Sequence, residues 1–361
     1  MWIKNAWYIA GFAHEFGQKL LARKFLNQAV ILWRTSQNTL VAMEDRCPHR
    51  LVPLSIGELV QDQVQCGYHG LRFNAEGACT HVPGQEALPR ARVKLFPVAE
   101  RHALVWIWLG APELADADLI PDLHWLDAPG WTPTTGYHHM QADYRLLTDN
   151  LLDLSHETYV HRETIGNAAV ADAPVVTSID SGLVVRAHRE MPNIDPPPFF
   201  ALMLNHTGRI DRWQIAVYMP PGINMTDVGA YPVGTDREKA AIFRVLHLLT
   251  PESEHSTHYF WAVCRNFRLD DTALGAGLTK AIVHTFDEDK RVLEIQDRCL
   301  QAEGMPQIPQ AAVKVDIAPV QGRRILNEMI KREQEDPRSS LRPIALADDA
   351  RVAQPPRVAA E

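Results

Sequence analysis

The sequence predicts an α+β chain in two parts, an N-terminal all-β domain followed by a domain that mixes strands with helices. Three observations predict it. Residues 29–34 and 40–44 read as short strands rich in branched side chains, and 103–109, Ala-Leu-Val-Trp-Ile-Trp-Leu, as a strongly apolar one. Gly110-Ala111-Pro112 and the acidic stretch from Glu113 to Asp118 then make a natural boundary. Beyond it, strand-like runs at 175–185, 211–217, 241–249 and 258–263 are interspersed with segments of helical period, a short one near 147–161 and a long one at about 271–300. The expected division is 1–115, 116–335 and a Pro-rich tail over 336–361.

Taken in order, the N-terminus, Met1-Trp2-Ile3-Lys4-Asn5, lacks the apolar core of a secretory signal, and no apolar run reaches the roughly 20 residues of a membrane span. The expected compartment is the cytoplasm. A net charge of −8 offers no basic surface for nucleic acid, and 46% apolar residues in 361 can bury a sizeable core.

Between strands come two short loops, Cys47-Pro48-His49-Arg50 and Cys66-Gly67-Tyr68-His69-Gly70. Each presents one thiolate and one imidazole, and Pro48 and Gly67 suit tight turns. Two cysteines on one iron and two histidines on the other make a Rieske [2Fe–2S] centre, in which neutral imidazoles raise the potential above that of an all-cysteine cluster. Two other readings use the same residues. A Cys47–Cys66 disulfide fits poorly with a reducing compartment and leaves the histidines idle, and a Cys2His2 zinc site has suitable ligand types. Cys79, Cys264 and Cys299 have no partner pattern. Glu76-Gly77 marks a hairpin-like turn, and the tryptophans of 103–109 read as core.

In the second part, Leu147, Leu151 and Leu154 form the buried stripe of a helix that also carries Asp153, His156 and His161. At about 100° per residue, Asp153 and His156 lie roughly 60° apart and the two histidines roughly 140° apart. A regular helix cannot aim both imidazoles at one point, so a kink or π-type turn is expected here. Two histidines awaiting one carboxylate suggest the facial triad of non-haem Fe(II), which keeps positions open for oxygen. The long helix supplies the acid. Its apolar face runs through Ile282, Phe286, position 289 and Leu293, and position 289 is an aspartate. A carboxylate on a buried stripe is costly unless paired or metal-bound. Asp289 is therefore the expected third ligand and Asp287 the alternative. The Pro-rich stretch 195–199 reads as a loop that could border a site entrance, and the tail from Glu335 as poorly ordered or wrapped over a surface.

Taken together, Asn5-Ala6-Trp7-Tyr8, the two Cys/His loops, the run from Asp149 to His161, Asp211-Arg212-Trp213-Gln214-Ile215 and Phe286-Asp287-Glu288-Asp289 resemble the oxygenase component of the Rieske non-haem iron oxygenases. The branch resembled includes vanillate O-demethylase, dicamba O-demethylase and toluenesulfonate methyl-monooxygenase. The resemblance implies that Cys47 and Cys66 bind one cluster iron, His49 and His69 the other, and His156, His161 and Asp289 the catalytic Fe(II). It implies that Asp153 bridges a cluster histidine of one chain to an iron-binding histidine of the next; a second reading makes Asp153 an anchor that orients His156. Asn150 resembles a hydrogen-bonding neighbour of the iron, and His247 a substrate-facing histidine, though a structural role serves it equally. One departure is Leu71 after Gly70, where many relatives carry tryptophan.

The implied fold is a Rieske domain followed by a helix-grip domain with a curved antiparallel sheet, assembled as a head-to-tail homotrimer. No Gly-x-Gly-x-x-Gly follows a strand, so electrons are expected from a separate flavin/iron–sulfur reductase, or a reductase plus ferredoxin. The implied activity is O2-dependent oxidation of a methyl group on a small aromatic substrate, foremost O-demethylation of a methoxybenzoate-type acid with release of formaldehyde. Methyl hydroxylation or N-demethylation is the alternative within enzymes, and an electron-transfer protein using the Rieske centre alone is the alternative of another class.

Overall fold

The computed structural model describes residues 1–86, 89–302, 311 and 313–341. Its first ten strands are β1 (Trp7–Phe12), β2 (Leu21–Phe25), β3 (Gln28–Arg34), β4 (Leu40–Glu44), β5 (Glu58–Val60), β6 (Gln63–Gln65), β7 (Arg72–Phe73), β8 (Cys79–His81), β9 (Val98–Arg101) and β10 (Leu104–Trp108). They make three antiparallel sheets ordered β1-β10-β9, β2-β3-β4 and β5-β6-β7-β8. The last of these carries the two Cys/His loops at one end.

The second part is a seven-stranded antiparallel sheet, ordered β11-β17-β16-β15-β14-β13-β12. Its strands are β11 (Thr132–Met140), β12 (Val175–Asp180), β13 (Val184–Ile194), β14 (Ile210–Met219), β15 (Ile223–Pro232), β16 (Ala241–Ser253) and β17 (Ser256–Arg265). The helices are α1 (Tyr144–Leu152), α2 (Glu157–Val160), α3 (Ala168–Asp172), α4 (Pro198–Leu204), α5 (Thr272–Gln301) and α6 (Ile317–Glu335).

Both faces of this sheet are buried. Ala216 and Tyr218 of β14 share a core with Leu147 of α1, Phe286 of α5 and Leu326 of α6. Their neighbours Trp213, Ile215 and Val217 point the other way, into a core with Trp7, Trp106 and Trp108. Two-sided burial explains why these strands read as near-continuous apolar runs instead of alternating ones. Trp106 and Trp108 are the core residues the sequence suggested, with Trp108 edge-on to Trp7 at 5.4 Å. The acidic stretch expected to separate the domains forms 3-10 turns, Pro112–Leu114 and Ala117–Leu119, and a further turn at His124–Leu126 buries Trp125 in the same core.

Three local expectations change. Residues 175–185 are not one strand but the start of a hairpin, because Ser181 and Gly182 both take positive φ (50° and 74°) and turn the chain from β12 into β13. The Pro-rich loop ends at Pro197, and Pro198 opens α4, where its fixed φ suits the first helical turn. Helix α6 escaped notice because Pro319 and Gly322 interrupt its pattern. Gly322 is the point of closest approach, where a Cβ would come 3.0 Å from Leu152 Cδ1 and 3.2 Å from Tyr218 Cδ1.

The end of α6 and the described start of the tail both bind the N-terminal segment. The Lys4 and Asn5 amides donate to the Glu333 carboxylate at 2.8 Å, and Asn5 Nδ2 donates to the Pro337 carbonyl at 3.2 Å. Pro343, Pro355 and Pro356 lie outside the described residues. Among the described residues, no helix is long and apolar enough to cross a membrane.

Candidate active site

The two Cys/His loops close in the same way. Cys47 N donates to Val52 O (2.8 Å) and Leu51 N to Cys47 O (2.9 Å); Cys66 N donates to Leu71 O (2.8 Å) and Gly70 N to Cys66 O (3.0 Å). The residue four after each cysteine takes positive φ, 61° at Leu51 and 71° at Gly70. Glycine adopts that conformation freely, whereas a leucine is strained there, a cost tolerated at sites held by their surroundings. The closures leave both thiols at the bottom and both imidazoles at the rim. Cys47 and Cys66 are 1% and 2% exposed, while His49 and His69 are exposed with ring centroids 4.7 Å apart. Burial, then the neighbouring Cys66, raises the Cys47 thiol above its ordinary range. The two cysteines are not joined in a disulfide, and Cys79, Cys264 and Cys299 are likewise free. Deep thiolates and outward imidazoles fit a cluster with one iron on each pair, its histidine side facing outward.

The second cluster of ligands rests on a broken helix. Asp143 caps α1 by accepting from Arg145 N at 2.9 Å, and the helix stops at Leu152. Asp153 is extended (φ −112°, ψ 93°), a 3-10 turn covers Leu154–His156, and α2 follows directly. The expected irregularity is thus a one-residue break with a 3-10 turn, not a π turn. It brings the imidazoles of His156 and His161 to 5.2 Å between centroids.

Each ring is fixed through its Nδ1. His156 Nδ1 meets the Asp153 backbone carbonyl at 2.6 Å, and His161 Nδ1 meets Glu288 Oε2 at 2.8 Å. Both Nε2 atoms then face Asp289 Oδ1, at 3.4 Å and 3.1 Å. Ligand atoms of His156, His161 and Asp289 all lie within 4.8 Å of one another. Two imidazole nitrogens and one carboxylate oxygen this close together are the donor set of a facial triad, so the residues present fit a mononuclear Fe(II). Burial would lower His161, but the Asp289 and Glu288 carboxylates outweigh it and push the imidazole up to about 9. A cation is favoured at this point.

The remaining expected residues sit around this centre. Asn150 Nδ2 is 3.4 Å from Asp289 Oδ1. Asp287 points away, with Oδ1 3.4 Å from His138 Nε2 and a side chain 58% exposed. The Asp153 carboxylate accepts from Ser155 N at 2.9 Å and lies 3.9 Å from Arg189 Nη2. It is the backbone of Asp153, not its carboxylate, that orients His156. His247 is buried on β16, its Nδ1 2.6 Å from the Tyr259 hydroxyl and its Nε2 3.4 Å from Thr226 Oγ1. Burial pushes its pKa down to about 3, so the ring is neutral near pH 7.

These residues open onto a cavity of about 370 Å³, walled by Leu154, Phe199, Phe200, Phe243, Val263 and Phe286 among others. Pro198 and Phe199 line it, where the Pro-rich stretch was expected to border an entrance. Sequence reasoning missed Glu288 and the buried trio Glu157, Arg212 and Gln214. Gln214 Nε2 donates to both Glu157 oxygens at 2.8 and 3.0 Å, and Arg212 Nη2 lies 3.5 Å from Glu157 Oε2. The available signal was Arg212 and Gln214 at alternate positions of a strand that is apolar from Ile215 onward.

Comparison with known proteins decides the family. Residues 6–97 match the Rieske [2Fe-2S] domain and residues 140–332 the vanillate O-demethylase oxygenase C-terminal domain. The chain is a Rieske non-haem iron oxygenase. This oxygenase is 38% identical over 343 residues to the toluene-4-sulfonate monooxygenase system iron-sulfur subunit of Comamonas testosteroni, covering 92% of this chain and 98% of that one. It is 38% identical over 345 residues to the vanillate O-demethylase oxygenase subunit of a Pseudomonas species, covering 93% and 97%. The crystal structure of dicamba monooxygenase bound to 3,6-dichlorosalicylic acid superposes with a TM-score of 0.88 at 34% identity, covering 92% of this chain and 99% of that one. The expected fold is thereby established, a Rieske β domain and a catalytic domain built on an antiparallel sheet with helices. The match to the vanillate and dicamba O-demethylase oxygenase components, and to the C-terminal domain as well as the Rieske domain, supports a monooxygenase.

Proposed function

We propose that this oxygenase component oxidises a methyl group on an aromatic substrate with O2, foremost by O-demethylation of a methoxybenzoate-type acid. Cys47 and Cys66 hold one iron of the cluster, His49 and His69 the other, and His156, His161 and Asp289 hold Fe(II). The observation that carries the reading is the convergence of these last three ligands on the wall of an apolar cavity of a size suited to a small arene. When bound, the cluster supplies electrons one at a time and the iron supplies activation of oxygen.

The chain's own residues do the rest. Phe199, Phe200 and Phe243 wall the cavity, enclosing the ring and excluding water. The Tyr259 hydroxyl, which burial keeps protonated, holds His247 through Nδ1 and leaves Nε2 facing Thr226 and the cavity. Glu288 and the Asp153 carbonyl hold the two iron-binding imidazoles in orientation. Hydroxylation of an aryl methyl ether gives a hemiacetal that collapses to a phenol and formaldehyde.

A separate reductase, with or without a ferredoxin, delivers the electrons. Asp153 links the iron site to a cluster histidine of the next chain in a homotrimer located in the cytoplasm. Identity to the toluenesulfonate relatives at least as high as that to the vanillate ones favours a second reading, methyl hydroxylation of an arene sulfonate or carboxylate that stops at the alcohol. Oxygen uptake with a compatible reductase, measured over methoxybenzoates and methylarene sulfonates, tests both. Formaldehyde equimolar with O2 supports demethylation, an alcohol product supports the second reading, and turnover confined to substrates without a methyl group overturns both.

A further inference from the structure

Of the described residues that line the cavity, Arg212 is the one arginine or lysine. Its side chain is 1% exposed, and the Phe200 ring covers one face of its guanidinium at 4.4 Å. Stacking uses the face and leaves the donors, which radiate in the plane, free. Only Nη2 has a neighbour, Glu157 Oε2 at 3.5 Å, and that carboxylate already accepts from Gln214 through both oxygens. Arg212 Nε and Nη1 have no partner among the described residues.

The charge count points the same way. Arg189, 3% exposed, stands opposite Gln214 in the β13–β14 register, its Nε also without a partner and its Nη2 3.9 Å from Asp153. Two buried guanidiniums therefore face one equally buried carboxylate, Glu157, because Asp153 is partly exposed and bound to the Ser155 amide. Unpaired buried donors and uncompensated buried charge are both costly. An anion in the cavity would meet the Arg212 donors and offset the excess positive charge beside them. His247 cannot supply the cation, since its ring is neutral.

We propose that Arg212 is the subsite for the acidic substituent, carboxylate or sulfonate, of the aromatic substrate. This rests on the reading of the cavity as the substrate site. Guanidinium donors match the oxygens of either group, and Phe200 beside them offers a surface for the attached ring. Arg212 thus determines specificity without taking part in the oxidation.

The test measures equilibrium binding by calorimetry to the holo-oxygenase with 4-methoxybenzoate, its neutral near-isostere 4-methoxybenzamide, and 4-toluenesulfonate as a second acid. Wild type is expected to bind the acids at least about tenfold more tightly than the amide, as a charge-assisted pair provides. In Arg212→Met/Glu157→Gln, which removes both charges together, that preference falls to within about threefold while amide affinity is unchanged. Arg212→Lys, which keeps the charge, retains part of the preference and covers the case in which the double variant does not fold. Loss confined to one acid identifies which group the subsite takes. The proposal is overturned if wild type shows no preference for acids, if the preference survives loss of Arg212, or if acids and amide weaken equally. A wild-type enzyme that releases formaldehyde from the amide as readily as from the acid would sink this subsite and leave the demethylase reading standing; one that oxidises no methylated arene would sink that reading, whatever the binding shows.

Discussion

Replacing Glu288 by glutamine probes how the iron site is built, because it preserves the size of the side chain and an acceptor for His161 while removing a charge. Asp289 first, then Glu288 and Glu157, lift His161 from 6.5 to about 9 against the opposing effect of burial, a net stabilisation of positive charge of roughly 3 kcal/mol. Asp289 contributes ahead of Glu288, so Glu288 supplies the smaller part. A metal ion on Nε2 places positive charge where that proton would sit. Glu288→Gln should therefore weaken metal binding about tenfold, at the lower end of the 10–100-fold cost of losing a partner behind a ligand. Glu288→Ala, which also leaves Nδ1 without its acceptor, should cost more. The assay is an anaerobic competition titration of Co(II) or Fe(II) against a chromophoric chelator, on protein whose cluster absorbance is intact. Affinity within about twofold of wild type for both variants would show that Glu288 is a surface carboxylate that only happens to lie close, and the reasoning would fail.

Asp289→Ala should abolish binding of the mononuclear metal and all turnover while leaving the visible absorption of the Rieske cluster unchanged; Asp287→Ala, altering an exposed residue, should change metal affinity by less than about twofold. Acid stability should reveal the seam between the two parts, where His258 Nε2 donates to the Lys24 carbonyl at 3.0 Å and Nδ1 accepts from Tyr137 at 2.8 Å. Burial pushes His258 down to about 4, below the unfolded value of about 6.5. Its contribution is thus present above pH 6.5 or so and lost as pH falls toward 4, by up to about 3 kcal/mol. Denaturant midpoints of wild type and His258→Gln across that window should converge as the pH drops, and parallel curves would contradict the assignment.

The two Cys/His loops were legible because each pair is local: a cysteine and a histidine lie within four positions of one another, and tight turns fix their geometry. The convergence of His156, His161 and Asp289 was legible in part. His156 and His161 stand on one segment, and Asp289 betrayed itself as an acid on an apolar helical stripe. The partners that hold these ligands were not visible, since Glu288 lies 127 positions from His161 and Gln214 lies 57 from Glu157. Such contacts are set by how α5 and β14 pack, which no local pattern encodes. The same reasoning explains β11 and β15: Thr132–Met140 is polar and carries Pro133, and β15 carries Gly229 where Trp213 of the adjacent strand crosses so closely that a Cβ would meet it at 1.9 Å. Both depart from the branched, apolar composition by which the neighbouring strands were found.

The account stands on two separate iron centres in one chain. Metal and acid-labile sulfide analysis of the anaerobically reconstituted protein tests it most directly, with Asp289→Ala in parallel. About three irons and two sulfides per chain in the wild type, falling to about two irons with sulfide unchanged in the variant, is the expected result. Two irons in both proteins with full oxygen uptake, or zinc in place of iron and sulfide, would contradict it.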